Sequence, residues 1–371
     1  MLDEGFPQDI LVSQDILDCK AAAEMAGLNY ASADEPGISR RRSGKGFTYR
    51  GPDNQRMARS DVVARIRALA IPPAWTSVWI CPDPNGHIQA IGMDGKGRRQ
   101  YRYHGKFREV RDGVKFVHMM QFAEILPVLR RQVASDMASP GLGRQKILAT
   151  IVHLLEATMI RVGNRAYAKQ NRTFGLTTMQ VRHVRIEGSE LRFHFKGKSG
   201  KVWKLSVRDR RVARIVRGCQ ELPGQNLFQY LDGQGAGQTV TSADVNAYLK
   251  TVTGMDISAK DFRTWTGTVL AASTLAQIGA LDGGPGGKKS IVEAIRQVAN
   301  HLGNTPTICR KCYVHPEILT AYLEGELVAA VGQAVSENTI DDIDRLKPEE
   351  SAVLDLLRAR LARLEPRAKA A

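Results

Sequence analysis

The stretch MQVRHVRIEGSELRFHFKGKSGKVWKLSV, residues 179–207, carries the pattern on which the fold of this chain depends. Apolar and polar residues alternate through three short runs, and two glycine-containing turns, residues 188–189 and 197–200, separate these runs. Such alternation is typical of half-buried strands, and short glycine-containing turns allow neighbouring strands to pair antiparallel. The stretch therefore predicts a three-stranded antiparallel meander with Lys198 at the tip of its second hairpin.

Helical periodicity surrounds the meander on both sides, because apolar residues recur there at three- and four-residue spacings. These helical runs are 114–136, 143–164, 242–254, 261–281 and 290–302. DGGPGGKK, residues 282–289, follows a helical run and lacks the GxxxxGK[ST] spacing of a phosphate-binding loop, so it predicts a flexible linker.

The first third of the chain has a different pattern. Three strand-like runs separated by turn residues follow a short helical pattern that Pro72-Pro73 ends, and the basic segment 38–55 predicts a loop that contacts a polyanion. The predicted fold class is α+β, with a small β-rich N-terminal domain and a mainly α-helical domain that contains the meander. The predicted divisions are an acidic leader, the β-rich domain, the helical domain, and a C-terminal acidic linker with a basic helical tail: 1–37, 38–112, 113–335 and 336–371.

The distribution of charge indicates a polyanionic partner. The chain has 371 residues, a net charge of +15 and an isoelectric point near 9.7. Residues 1–37 carry one lysine against eight acidic residues, whereas residues 38–111 carry 16 basic residues against five acidic ones. A basic block of this kind is the electrostatic pattern of a nucleic-acid-binding protein. The basic C-terminal helix is expected to add phosphate contacts.

Composition also argues against other classes of protein. No segment has the order of a signal peptide, and the longest apolar stretch, 147–160, is too short to span a bilayer. We therefore expect a soluble cytoplasmic protein associated with the nucleoid, with no membrane partner.

Five cysteines form no regular disulfide framework. Cys309 and Cys312 form a C-x-x-C near two histidines, but a second ligand pair with zinc-site spacing is missing, so packing in a helix is the favoured interpretation.

The segment that follows this C-x-x-C raises the question of nucleophilic chemistry at Tyr313. A phenol has a pKa near 10, so its attack on a phosphodiester at neutral pH needs cations that stabilise the phenolate and the transition state. Arg161 lies at the end of an apolar helical run, Arg263 begins another, and Lys198 occupies a hairpin tip. Each alone is most often a solvated or paired charge, and only the combination indicates a site.

In order along the chain, IRVGN, FKGKSGK, KDFRTW and LGNTPTICRKCY resemble the motif series of the type IB DNA topoisomerases, in the compact poxvirus-like and bacterial branch. AIGMDGKGRRQYRYHGKFR, residues 90–108, resembles the β-domain segment with which these enzymes clamp duplex DNA. The resemblance covers about residues 35 to 330. It implies a monomer that relaxes supercoiled DNA through a transient 3′-phosphotyrosyl bond, without ATP or an obligatory metal or other cofactor.

The resemblance also implies a role for individual residues. Tyr313 matches the nucleophile, Arg161 and Arg263 match the two phosphate-binding arginines, Lys198 matches the lysine that protonates the leaving oxygen, and Lys260 matches a second contributing lysine. Residues of the β-domain match the DNA contacts of the family: Arg98, Arg99, Gln100, Tyr101 and Tyr103. This chain departs from the pattern at Asn304, where the poxvirus-type motif has a histidine, so some loss of electrostatic stabilisation is expected there.

Two alternatives remain at this point. Tyrosine recombinases share the Arg, Lys, Arg and Tyr chemistry, but they usually have a histidine where this chain has Lys260, and a helical rather than a β-rich N-terminal domain. A catalytically silent DNA-binding clamp would also satisfy the charge distribution. Such a protein would not need the tyrosine, the two arginines and the hairpin lysine together.

Overall fold

The structure is a computed structural model that describes residues 19–57, 60–279, 285–336 and 343–368. The chain forms two compact units, one up to Val117 and one from His118 onward. A single long helix, residues 105–138, runs through the predicted domain boundary at residue 112. Residues 1–18 of the predicted leader lie outside the described residues, as does part of the predicted C-terminal linker.

The first unit is a five-stranded antiparallel sheet with short helices. Its sheet has the strand order β2-β1-β3-β4-β5. The three strand-like runs of the sequence are confirmed as β3, β4 and β5. Its elements, ending with the helix that continues into the second unit, are α1 (Cys19–Met25), β1 (Ile38–Ser43), β2 (Gly46–Arg50), α2 (Ser60–Ala68), β3 (Thr76–Ile80), β4 (Ile88–Met93), β5 (Arg99–Tyr103) and α3 (Gly105–Ala138).

The prediction of a loop over residues 38–55 was wrong, because this segment forms the β1–β2 hairpin. Ser43 pairs with Gly46, and the two-residue turn between them begins with Gly44 at a φ of +56°. A positive φ suits the tight turns of twisted hairpins. The strand pattern was hidden because Arg40 occupies a core-facing position. Its guanidinium donates to backbone carbonyls, including that of Trp75 at 2.7 Å, and stacks on Phe47.

The described part of the acidic leader packs against other segments of the first unit. Ala22 and Ala23 of α1 are buried in a cluster with Phe107. Asn29 then forms a bridge with Gly86, and the backbone N–H of His87 donates to the carbonyl of Asn29 at 2.8 Å. Contacts between residues so far apart in the chain leave no local periodicity in the sequence, so these contacts could not be predicted from it.

The second unit is mainly helical and contains the predicted meander, which is confirmed as a three-stranded sheet of order β6-β7-β8. A two-stranded sheet and several short helices had not been predicted. Its elements are α4 (Arg144–Thr158), α5 (Arg165–Asn171), β6 (Val184–Glu187), β7 (Glu190–Lys196), β8 (Val202–Arg208), α6 (Arg210–Gln220), β9 (Gln229–Leu231), β10 (Gly237–Thr239), α7 (Ser242–Thr253), α8 (Ala259–Ile278), α9 (Pro285–Leu302), α10 (Pro306–Cys312), α11 (Pro316–Leu323), α12 (Glu326–Ser336) and α13 (Pro348–Ala368).

Helix α8 runs through the core of this unit, and most of its residues are buried. Its N-terminus is fixed by Asp261, whose carboxylate accepts from the backbone N–H of Ser258 at 2.9 Å. The carboxylate also lies 3.8 Å from Nε2 of His118 on α3. The first turn of α8, which carries Lys260 and Arg263, is therefore held from two directions.

The structure corrects one prediction for the rest of this unit and shows the partners of the residues behind another. The segment 282–289 is not a linker throughout, because α9 begins at Pro285, a residue that suits the first turn of a helix. The basic helix α13 is present, and three of its arginines, Arg358, Arg360 and Arg363, pair with carboxylates of this chain. Arg360 is 7% exposed and pairs with Glu317 at 2.9 Å, and Arg358 pairs with Glu124.

In the part of the chain that the structure describes, no single helix is long and apolar enough to cross a membrane. The bent pair α11 and α12 passes that test by combined length and composition alone.

Candidate active site

Arg161 lies in a tight loop after α4, and not at the end of the helix itself as predicted. The helix ends at Thr158, and Met159 adopts the left-handed conformation with a φ of 54°. The carbonyl of Arg161 accepts from the backbone N–H of Leu176 at 2.9 Å. Gly163 and Gly175 lie so close together that a Cβ on either one would overlap its neighbours. These two glycines allow the Arg161 loop to pack directly against the segment around residue 175.

Arg263 is buried in the first turn of α8, with 5% of its surface exposed. Its guanidinium donates to the carbonyl of Met159 and, at 2.5 Å, to the carbonyl of Leu302. The Arg263 Nε is buried without a hydrogen-bond partner among the described residues. The guanidinium carbon lies 5.4 Å from the centre of the Tyr313 ring. Arg263 therefore ties the Arg161 loop to the end of α9, and does so directly beside the tyrosine.

Lys198 projects from the turn between β7 and β8, as predicted. The backbone N–H of Gly197 donates to the carbonyl of Lys201 at 2.7 Å, and Ser199 adopts a φ of 62°. The Lys198 side chain is exposed, and its amine has no hydrogen bond or ion pair within the described residues. The carbonyl of Lys196 accepts from Phe174 at 2.8 Å, which attaches the base of the hairpin to the loop that packs on Gly163.

Asn304 and Tyr313 lie at the two ends of α10. The Oδ1 atom of Asn304 accepts a hydrogen bond from Arg161, whereas its Nδ2 is buried with no partner among the described residues. Thr305 caps the helix by accepting from Ile308, and Tyr313 follows the last helical residue with its N–H bonded to the carbonyl of Cys309 at 2.9 Å. A donor without a partner beside a cluster of cations is suited to contact an anion.

The backbone of Tyr313 packs against α8 at a glycine. A Cβ on Gly267 would lie 2.5 Å from the carbonyl oxygen of Tyr313. One residue later, the Thr268 hydroxyl contacts the same carbonyl oxygen at 3.4 Å and accepts from His315 at 3.1 Å. The tyrosine is thereby held within one helical turn of Arg263.

These elements line an open cavity of about 530 Å³. Five of the six predicted catalytic residues line it: Arg161, Lys198, Lys260, Arg263 and Tyr313. Asn304 does not line the cavity but contacts Arg161. The cavity is also lined by residues that the sequence analysis did not select, among them Tyr167, Thr173 and Phe174. The sequence offered one indication that Tyr167 belongs to the site, its position six residues after Arg161. A tyrosine at that position is equally compatible with ordinary packing of a helix.

The electrostatics of the cavity are dominated by two desolvated arginines. Burial, followed by the like charge of Arg263, lowers the pKa of Arg161 to about 10. Burial also lowers the pKa of Arg263, while the neighbouring Tyr313 opposes that shift. Two like charges held out of water favour a bound anion, because an anion compensates both the repulsion and the lost solvation. The arrangement is suited to bind a phosphate beside a tyrosine hydroxyl.

The two cysteines before Tyr313 belong to α10. Cys309 is fully buried, and burial raises the pKa of its thiol. This position agrees with the prediction of packing in a helix. Within the described residues, no three or more His, Cys, Asp or Glu side chains form a group that could hold a metal ion.

The predicted DNA contacts of the first unit lie on β5, an edge strand, and in the turn before it. Tyr101 is 44% exposed, with the Arg99 guanidinium 5.7 Å from its ring centre. Gln100 points to the opposite face of the sheet, where its amide donates to Asp94 at 3.1 Å. Arg98 forms an ion pair with the same carboxylate and holds the pKa of Asp94 down at about 2.

Tyr103 shares the face of Tyr101 but is partly buried. The two rings stack with their centres 6.0 Å apart, and Tyr103 also stacks on Phe107. Burial raises the pKa of the Tyr103 hydroxyl. Of the five predicted contacts, Arg99 and Tyr101 are therefore the two that are exposed without an ion pair or hydrogen bond to Asp94.

Comparison with known proteins gives two family matches and several relatives. Residues 104–330 match the family described as eukaryotic DNA topoisomerase I, catalytic core, and residues 46–94 match bacterial DNA topoisomerase IB, N-terminal domain. DNA topoisomerase 1B of Acanthamoeba polyphaga mimivirus is 31% identical over 293 residues, which are 77% of this chain and 87% of that protein. DNA topoisomerase 1B of Vaccinia virus (strain Copenhagen) is 24% identical over 261 residues, 68% of this chain and 76% of that protein.

Proposed function

The chain belongs to the type IB DNA topoisomerases, and we propose that it relaxes supercoiled duplex DNA by cutting and resealing one strand through Tyr313. The observation that supports this proposal most directly is the cavity that brings Tyr313 together with Arg161, Arg263, Lys198 and Lys260. A protein that only bound DNA would have no need for a phenol in one cavity with two desolvated guanidinium groups.

The proposed chemistry begins with attack on the scissile phosphate. The oxygen of Tyr313 forms a bond to phosphorus, the bond from phosphorus to the 5′-oxygen breaks, and the phenol proton passes to water. Negative charge develops on the non-bridging oxygens, where planar guanidinium donors match the geometry. Arg161 and Arg263 stabilise that charge, and the unpartnered amide Nδ2 of Asn304 donates a further hydrogen bond.

The departing 5′-oxygen takes its proton from Lys198, at the exposed hairpin tip. A positioned general acid contributes about 10²–10⁴-fold to rate. The amine is available for this task because it has no hydrogen bond or ion pair in the described part of the chain. Lys260, on the first turn of α8, supports the same step.

The released 5′ end rotates about the intact strand, and torsional strain in the DNA drives that rotation. The 5′-hydroxyl then attacks the phosphotyrosyl bond, the tyrosine leaves, and the strand is restored. Each step exchanges one phosphodiester for another, so ATP is not required. We further propose that the enzyme acts as a monomer, with Arg99 and Tyr101 of the first unit and the cavity of the second unit contacting the same duplex.

Binding in this proposal depends on many phosphate contacts. Neutralised phosphates release counterions, so the logarithm of the binding constant falls linearly with the logarithm of salt, at about −0.9 per phosphate contacted. The net charge of +15 favours such binding. A nearly salt-independent affinity would contradict a phosphate-tracking surface.

The experiment that tests the proposed function is relaxation of negatively supercoiled plasmid in EDTA without ATP. Tyr313→Phe removes the attacking oxygen and should abolish relaxation. Tyr230→Phe is the matched control, because Tyr230 lies on β9 and does not line the cavity. Wild type and the control should relax the plasmid and form a denaturant-stable adduct at the 3′ end of the cut strand. DNA binding without relaxation by the wild type would favour the silent clamp, and relaxation by Tyr313→Phe would exclude Tyr313 as the nucleophile.

A further inference from the structure

The indole of Trp203 lies between two glycines, and each glycine precedes a residue of the candidate active site. Gly197 precedes Lys198 at the hairpin tip, and Gly303 precedes Asn304 after α9. A Cβ on Gly197 would lie 2.6 Å from the indole Nε1, and a Cβ on Gly303 would overlap the indole Cζ2. Both of these distances from an added Cβ to the indole are shorter than ordinary van der Waals contact, so a side chain at either position would clash with the ring. One ring therefore spans the space between the two catalytic segments.

The orientation of this ring is fixed within the hairpin. Trp203 pairs with Phe195 across β7 and β8, and the two rings stack with their planes 6° apart. Lys201, at the end of the turn, places its amine 5.9 Å from the indole centre and 3.5 Å from the carbonyl of Asn300. The hairpin thus contacts the last turn of α9 at two points, through the indole and through Lys201.

The α9 side of the contact is equally constrained. Gly303 has a φ of +61°, in the left-handed region that favours glycine. The backbone N–H of Asn304 donates to the carbonyl of Ala299 at 3.0 Å, a bond that closes the helix end as in a Schellman motif. The direction in which the chain leaves α9 is therefore set by this turn, and the indole packs directly on it.

We propose that Trp203 is a positioning residue that sets the Lys198 hairpin against the Asn304 segment. The inference rests on the proposed function, because it matters only if Lys198 and Asn304 act on one scissile phosphate. Trp203 does not line the cavity and has no direct part in the chemistry. Its action is to fix the separation between the proton donor and the donor to the non-bridging oxygen.

The test is single-turnover formation of the covalent adduct with saturating enzyme. Trp203→Ala should slow adduct formation by about 10–100-fold, because misplacement of a reacting group by about 1 Å has effects of this size. DNA affinity should stay within about twofold, since phosphate contacts set affinity. Val202→Ala is the matched control. Val202 neighbours Trp203 on β8, is 56% exposed, and should react at the wild-type rate.

A double-mutant cycle separates positioning from general destabilisation. If Trp203 acts by placing Lys198, its truncation should cost at least about threefold less in a Lys198→Ala background than in the wild type, because residues that act as a unit are non-additive. Trp203→Phe provides a second variant that keeps the stack on Phe195 but cannot reach Gly303. Adduct formation by Trp203→Phe should have an intermediate rate. If Trp203→Ala does not fold, the double-mutant cycle of Trp203→Phe with Lys198→Ala tests the inference in its place.

Adduct formation at the wild-type rate in a folded Trp203→Ala protein would overturn the inference. So would a double variant whose rate loss equals the product of the two single losses, because the two residues would then act independently. Failure of the proposed function has a different signature. In that case Lys198→Ala itself would form the adduct at the wild-type rate, or the wild-type protein would form no adduct.

Discussion

Two groups of polar residues at the active site differ in how they are held. Arg161 and Arg263 line the cavity, and their guanidinium groups bond to carbonyl or amide oxygens of the protein itself; with Asn304, which contacts Arg161 without lining the cavity, we call them the floor. Lys198 and Lys260 also line the cavity, and we call them the wall; they are exposed and their amines have no ion pair or hydrogen bond within the described residues.

The difference indicates that the two groups have different roles in the reaction. The floor is fixed by hydrogen bonds within the protein, and donors held in this way need little rearrangement when charge develops in the transition state, which is the condition under which electrostatic stabilisation is largest. The wall must deliver a proton to a departing oxygen, and an exposed amine can approach a ligand that enters from solvent. The floor should therefore be sensitive to changes of packing, and the wall to changes of position.

The floor should give the largest losses when its arginines are removed. Arg161→Ala and Arg263→Ala should each slow adduct formation by about 10²–10³-fold. Arg263→Ala should also lower the melting temperature, because it leaves the carbonyls of Met159 and Leu302 without their donor, at about 1–3 kcal/mol each. Within the described residues, the Arg161 guanidinium bonds to one side-chain oxygen, that of Asn304, so its removal should lower the melting temperature less. Single-turnover kinetics and thermal unfolding of both variants check this difference, and equal melting temperatures would remove the structural role of Arg263.

Asn304 provides a sharper test of the floor. Asn304→Asp keeps an oxygen for Arg161 but replaces the unpartnered Nδ2 donor with an anionic oxygen, whereas Asn304→Ala removes both groups. A hydrogen bond to a charged group is worth about 1.5–3 kcal/mol, so Asn304→Ala should slow adduct formation by about 10–100-fold. Asn304→Asp should be slower still, because its charge repels the phosphate. Rates in the opposite order would mean that the amide does not face the scissile phosphate.

The packing of Tyr313 on α8 is expected to have a smaller effect. In Gly267→Ala the new Cβ would lie 2.5 Å from the Tyr313 carbonyl oxygen, so the tyrosine backbone must shift. Overpacking of this kind costs about 1–3 kcal/mol and should slow cleavage as well. Gly113→Ala is the control, because Gly113 lies in α3 with no atom within 4 Å of its added Cβ, and it should be neutral or slightly stabilising. Urea unfolding and adduct formation measured on both variants make the comparison.

The smallest expected effect is a pH dependence at the N-terminus of α8. The carboxylate of Asp261, 3.8 Å from Nε2, raises the pKa of His118, in spite of the burial that opposes it. A raised folded pKa means that the stabilisation is complete below the unfolded value of about 6.5 and is lost as the pH rises through the folded value. As the pH rises through the folded pKa of His118, the free energy of unfolding of the wild type should therefore fall by less than about 1 kcal/mol relative to that of His118→Gln. Urea unfolding at several pH values measures it, and parallel profiles would show that the pair is not coupled to folding.

The sequence was a good guide to the chemistry of the site and to the meander. Apolar alternation and helical spacing arise from contacts within one element, so they are visible in a window of a few residues. The motif order placed Arg161, Lys198, Lys260, Arg263 and Tyr313 in one catalytic set, and all five line one cavity. Their individual roles stay predictions until the variants are measured.

The sequence was a poor guide where a charged residue is paired inside the protein. Arg40 made β1 look like a basic loop, although its charge is satisfied by backbone carbonyls. Arg360 in α13 had the pattern of a phosphate-binding surface, yet it is buried against Glu317. In both cases the partner lies at least 31 residues away, and composition alone cannot distinguish a paired cation from a free one.

The sequence by itself determined which reactive groups the protein has, their order along the chain, and the helices and strands that carry them. Only the tertiary structure decided how those groups are held. Arg263 reaches carbonyls 104 and 39 residues away, and Trp203 fits between glycines that are separated by more than 100 positions. Such contacts depend on the close approach of distant backbones, and a pattern of local spacing contains no information about that distance.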